Sequence, residues 1–128
     1  MWKSWIKRAL IESNSLRVAA RLRYKGIAIL MYHSVMEEPE KEKKTLGGII
    51  HSTKVFRGQM DLIARKYNPV SLDEVLRFTE GEQDLPPRSV VVTFDDGYAD
   101  NYEVAATVLA ETGIPAVFYI AVDCIELG

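Results

Sequence analysis

Asp95 and Asp96 stand side by side directly after the apolar run Val90-Val91-Val92-Thr93-Phe94, and His33 follows a second such run, Ile27-Ala28-Ile29-Leu30-Met31-Tyr32. Two adjacent carboxylates at the end of a buried segment repel each other and lose hydration, so a cation, a set of hydrogen bonds or a proton held by one of them must compensate. No Lys or Arg occurs in the residues that follow the pair. A divalent metal meets the need, with one carboxylate as ligand and the other poised as a base. Gly97 permits a turn with positive φ and a close approach by a ligand. The competing reading takes Asp96-Gly97 as a plain hairpin turn, which requires an alternating strand afterwards. Instead Tyr102, Ala105, Ala106, Leu109 and Ala110 recur at helical spacing.

A single histidine more often packs or faces solvent than reacts, and only its place at a strand end makes His33 a candidate. His51 precedes Ser52-Thr53 on an expected loop and reads as a surface residue. It begins a superficial His-Ser-x-x-His metal pattern, but Val55 occupies the second histidine position and excludes it.

The elements that would position these groups follow from periodicity. Residues 27–32 and 116–122 are continuous apolar runs, expected as strands buried on both faces, and Val90–Phe94 is the strongest strand signal. After Ser52-Thr53, Phe56, Met60, Ile63 and Tyr67 mark an amphipathic helix ended by Asn68-Pro69. Ser71-Leu72-Asp73-Glu74 is a capping box heading a helix whose apolar face is Leu72, Val75 and Leu76 and which Gly81 closes. The helical stripe after Gly97 stops at Gly113, so strand, helix and parallel strand alternate, giving an α/β class as an open sheet or part of a barrel. In either architecture ligands gather at the carboxyl ends of the parallel strands, where His33, Asp95 and Asp96 lie.

The 128 residues suit one domain, and 48 % hydrophobic with 27 % charged residues is a globular balance. A net charge of −2 gives no general attraction for nucleic acid. The lone Cys124 forms no internal disulfide and reads as a small buried apolar residue. Residues 1–25 differ: Lys3, Lys7, Arg8, Arg17, Arg21, Arg23 and Lys25 face a single acid, Glu12, and the apolar residues fall mostly at helical spacing. A basic amphipathic helix is expected there, packed on the domain or lying on an anionic membrane surface. It lacks the unbroken apolar stretch of a spanning helix and the cleavage site of a secretory signal, so a cytoplasmic location, peripheral to the inner face of the membrane, is expected. The mixed-charge segment from Glu37 to Lys44 reads as a surface loop.

Thr93-Phe94-Asp95-Asp96-Gly97-Tyr98 resembles the first motif of the polysaccharide deacetylases of carbohydrate esterase family four, the NodB-like domain. Leu30-Met31-Tyr32-His33-Ser34-Val35 resembles the Tyr-His strand of the branch that includes enzymes of the poly-N-acetylglucosamine deacetylase type, and Ala116–Ile120 is similar to the strand that follows the motif. The resemblance covers residues 26–128 and implies the amino-terminal part of a distorted (β/α) barrel, preceded by the helix of residues 1–25. It implies hydrolysis of N-acetyl groups on a polysaccharide or a glycolipid-linked sugar, with a divalent metal, zinc foremost and nickel or cobalt as alternatives. Carried over by position, Asp95 is the general base, Asp96 a metal ligand and His33 the general acid, with Gly97 and Tyr98 at the substrate. The family's His-x-x-x-His ligand pair has no counterpart here, so the chain is expected to be an inactive front fragment whose open strand edges favour aggregation. Two other classes compete. Phosphoryl transfer usually spaces its acids as Asp-x-Asp, unlike the adjacent pair here, and a carbohydrate-binding or membrane-associated pseudoenzyme needs no complete metal shell.

Overall fold

The computed structural model describes residues 26–37 and 49–122. The expectations for residues 1–25, for most of the charged loop and for Cys124 fall outside them. Strand β5 (Ser89–Phe94) is buried at all six positions, as its β-branched run predicts. It is paired in parallel on both edges. Along one edge lies β1 (Ala28–Tyr32), with Ala28 opposite Val90 and Tyr32 opposite Phe94. The other edge is shared: β4 (Asn68–Pro69) pairs with Ser89 and Val90, and β6 (Ala116–Phe118) pairs with Val92 to Phe94. A second, two-stranded parallel sheet joins β2 (Ser34–Met36) to β3 (Ile50–Ser52).

Parallel neighbours require crossovers, and within the larger sheet helices supply them. Helix α1 (Thr53–Lys66) starts where the Ser52 side chain accepts a hydrogen bond from the Val55 N–H, and buries Phe56, Met60 and Ile63. Tyr67, the next residue of that stripe, already has extended backbone and stays exposed. Helix α2 (Leu72–Thr79) has the full capping box: the Ser71 N–H donates to Glu74 Oε2 at 2.7 Å, and the Glu74 N–H donates back to Ser71 Oγ at 3.3 Å. A π-helical turn (Asn101–Ala105) runs into α3 (Ala106–Thr112), and Gly113 at φ +67° closes it. The core joins Tyr32, Val35 and Phe94 to Phe56 and Met60 of α1 and Val108 and Leu109 of α3.

Three expectations need correction. Strand β1 is not buried on both faces: Leu30 and Tyr32 turn to the core, while Ile29 and Met31 are 68 % and 60 % exposed on a face that no described element covers. The run expected over 116–122 pairs only through Phe118, and Tyr119 and Ile120 are exposed because no second strand lies along them among the described residues. Helix α2 buries none of its residues, so Leu72 and Leu76 remain exposed. Its cap is local chemistry; its apolar face has no partner among the described residues.

Phe56 is fully buried with its ring edge-on to both Tyr32 and Phe94. Phe56→Ala is expected to lower the unfolding free energy by about 3–5 kcal/mol, read from urea unfolding followed by circular dichroism. Hydrogen bonds from the Ser71 backbone and then its hydroxyl hold the Glu74 carboxyl below its ordinary range. A depressed folded pKa contributes stability above the unfolded value and loses it as pH falls through the folded one. The gap in thermal midpoint between the parent and Glu74→Ala should therefore narrow as pH is lowered through the carboxylate range.

Candidate active site

The parallel register sets Tyr32 opposite Phe94, so the residues that follow each leave the sheet at the same edge. The ladder continues one step further. The Asp95 N–H donates to the Tyr32 carbonyl at 2.9 Å, and on the other side the Tyr119 N–H donates to the Phe94 carbonyl at 2.8 Å. Beyond that step the backbone breaks away, with Asp96 at φ +72° and Gly97 at φ +67°. Asp95 is half-buried and Asp96 exposed, so the two carboxylates, adjacent in sequence, occupy different surroundings. His33 fills the one-residue gap between β1 and β2. Its Nε2 lies 3.9 Å from Asp96 Oδ2, with the two side chains 24 % and 55 % exposed. That separation suits an ion pair with a protonated imidazole and is too long for a direct hydrogen bond.

Asp95 and Asp96 border an open depression of about 440 Å³ with Tyr119, Ile120 and Ala121. Tyr98 lines a neighbouring cavity of about 230 Å³ with Gly97, Asn101, Tyr102, Phe118 and Ile120. A larger apolar groove of about 520 Å³ runs between β1 and α1 and contains none of the candidate residues; Tyr32, which precedes His33, lines it. The Tyr32 hydroxyl donates to Gln59 Oε1 at 3.0 Å, and burial pushes its phenol pKa up, so it remains a neutral donor.

The structure thus brings His33, Asp95 and Asp96 to one strand-end edge, with Gly97 and Tyr98 beside them. His51 is not the loop surface residue expected. It lies in β3, half-buried, edge-on to Tyr32 at 5.2 Å between ring centroids, and its Nδ1 is buried without a protein partner. The parallel pairing of β2 with β3 draws it inward.

Asp100 is the residue that sequence reasoning missed. Its Oδ2 accepts from Ser34 Oγ at 2.6 Å and its Oδ1 from the Val35 N–H at 3.2 Å. An acid at the head of a helical stripe reads as a cap, yet this side chain makes no cap bond. Its partners are more than sixty positions away in sequence, and no spacing rule connects them.

Among the described residues no three His, Cys, Asp or Glu side chains converge as metal ligands. One carboxylate with an imidazole nearby is a partial donor set, short of the three protein ligands of a catalytic zinc site. These residues alone therefore do not make a metal centre.

A Cβ built on Gly97 would stand 3.3 Å from Ile120 Cγ2 and 3.4 Å from Ile120 Cα, at a φ that side chains avoid. Gly97→Ala is expected to destabilise by about 1–3 kcal/mol, measured by thermal or urea unfolding. Asp96 carries a side chain at a left-handed φ, so Asp96→Gly should leave stability unchanged or slightly raised while removing the carboxylate.

Comparison with known proteins places this geometry. The family model described as polysaccharide deacetylase matches residues 82–126. The poly-β-1,6-N-acetyl-D-glucosamine N-deacetylase of Escherichia coli is 28 % identical over 96 residues, 74 % of this chain and 14 % of its own length. Among solved structures, the de-N-acetylase from Aggregatibacter actinomycetemcomitans is 34 % identical with a TM-score of 0.63, over 72 % of this chain and 36 % of that one. The Streptococcus pyogenes deacetylase PplD, solved in complex with acetate, is 28 % identical with a TM-score of 0.66, over 80 % of this chain and 45 % of that one. The chain spans less than half the length of each of these relatives. The strand-end motif, the parallel sheet and these likenesses agree: the chain is similar to polysaccharide deacetylases, and its fold matches the amino-terminal part of the NodB-like (β/α) barrel.

Proposed function

We propose that the protein contributes to hydrolysis of N-acetyl groups on an N-acetylated polysaccharide or a glycolipid-linked sugar. The observation that carries this reading is the meeting of His33 with Asp95-Asp96 at the carboxyl ends of two paired parallel strands, His33 Nε2 lying 3.9 Å from Asp96 Oδ2. Amide hydrolysis needs a proton taken from the attacking water and a proton given to the leaving nitrogen. In this proposal Asp95 takes the first, as a C–O bond forms at the acetyl carbon, and His33 gives the second, as the C–N bond breaks to leave acetate and a free amine. Gly97 and Tyr98 border the substrate.

The likeness of family and motif supports Asp96 as one ligand of a divalent metal, zinc before nickel or cobalt, whose further ligands lie outside the described residues. Such a metal, when bound, polarises the acetyl carbonyl and acidifies water. Residues 1–25, with seven basic side chains against one acid, belong in this proposal on anionic lipid at the cytoplasmic face of the membrane. Equal pelleting with anionic liposomes of the chain with and without residues 1–25 would end that idea.

The test is acetate release by the full-length protein from N-acetylglucosamine oligomers. Asp95→Asn and His33→Ala are each expected to lower kcat by about 10²–10⁴-fold, the range for loss of a general base or acid. Asp96→Ala should abolish activity and reduce bound metal measured by elemental analysis. Unchanged acetate release in Asp95→Asn would sink the assignment of the base. Calorimetry with the same oligomers separates a non-catalytic sugar-binding protein, which would bind without metal and release no acetate.

A further inference from the structure

The short segment 32–34 and the longer segment 95–100 are tied together at both ends. At one end the Asp95 N–H donates to the Tyr32 carbonyl. At the other the Asp100 carboxylate accepts from the Ser34 hydroxyl and the Val35 N–H, one on each oxygen. His33 and Asp96 are interior to these two ties and face each other. The residues held are well anchored: Ser34 is 4 % exposed and Val35 fully buried. By contrast, no hydrogen bond holds the His33 ring among the described residues, so its place is set by the backbone on either side of it.

We infer that Asp100 is a positioning residue for His33, its carboxylate clamping Ser34 and Val35 so that the imidazole stays over the Asp95-Asp96 edge. The inference rests on the deacetylase reading for its catalytic consequence, and on the two hydrogen bonds for its structural one. A carboxylate suits the task because its two oxygens can receive a hydroxyl and an amide at once, and bonds to an ionised acceptor are stronger than neutral ones. Asp100 does not touch substrate in this scheme. It acts through the backbone of β2, and displacement of a reacting group by about 1 Å can cost roughly a hundredfold in rate.

The experiment compares Asp100→Ala with Asp100→Asn in the full-length protein. Asparagine can still accept from the Val35 N–H and can donate to Ser34 Oγ, which accepts as well as donates, so it keeps the clamp without the charge. Asp100→Ala is expected to lower kcat roughly tenfold to a hundredfold with KM within about twofold, and Asp100→Asn to restore kcat to within about threefold of the parent. A purely structural role would lower the folded fraction and the thermal midpoint without this split between kcat and KM. An Asn variant as slow as the Ala variant overturns the inference, because the charge rather than the clamp would then matter. So does an Ala variant with unchanged kcat.

Nuclear magnetic resonance of the same proteins keeps the two readings apart. The Val35 amide should exchange about tenfold faster or more in Asp100→Ala, and the His33 ring resonances should shift, with both near the parent in Asp100→Asn. If the parent releases no acetate, the deacetylase reading fails and the resonance data alone decide whether Asp100 places His33. If those signals do not move in Asp100→Ala, the clamp itself is refuted.

Discussion

Phe94 sits at the point where the core becomes the site. Its ring is fully buried, stacked on Tyr32 at 5.5 Å and on Phe118 at 4.9 Å, with Phe56 edge-on at 5.7 Å. Those three partners come from the strand on one side, the strand on the other and the helix that covers them. Each such pair adds about 0.5–1.5 kcal/mol beyond simple area burial. The next residue is Asp95, so the depth and direction at which Phe94 seats fix where the carboxylates emerge. Pairing of β5 on both edges leaves that strand no freedom to slide, since a one-residue slip would turn its whole set of side chains over.

The proposed chemistry then depends on breaking the strand in a controlled way. Asp95 keeps one more ladder bond and remains half-buried; Asp96 turns into the left-handed region and out to solvent. Two like charges that are neighbours in sequence are thereby separated in environment, a separation that the proposed deacetylase mechanism uses by assigning one to a cation and the other to a proton. Gly97 completes the turn because Ile120 stands against the position a Cβ would take. The left-handed Asp96 is a local cost that the rigid strand on one side and the anchored Asp100 on the other sustain.

Stability and function are unevenly distributed over the described residues. The aromatic cluster, α1 and α3 bury their apolar faces against one another, while Ile29 and Met31 on β1 and the stripe of α2 lie open. The carboxylates sit at the ordered end of this arrangement, directly above the best-packed part of the core. A site on the ends of paired strands is held more firmly than one on a free loop.

Much of this was legible in the residue order. The buried Val90–Phe94 run, the capped helices at Ser52 and Ser71, the stop at Gly113 and the strand-end placing of His33, Asp95 and Asp96 all follow from periodicity, caps and local chemistry, which act over a few residues. Burial did not follow in the same way. That Ile29 and Met31 face away from the core, that β6 ends at Phe118, that His51 turns inward against Tyr32, and that Asp100 reaches Ser34 all depend on which elements come to lie side by side. Those are contacts across tens of residues, set by strand pairing and packing, and no local propensity encodes them. The sequence by itself determined the candidate groups and the elements that carry them; the tertiary structure decided which groups face one another, because only the parallel register brings the ends of β1 and β5 to one edge.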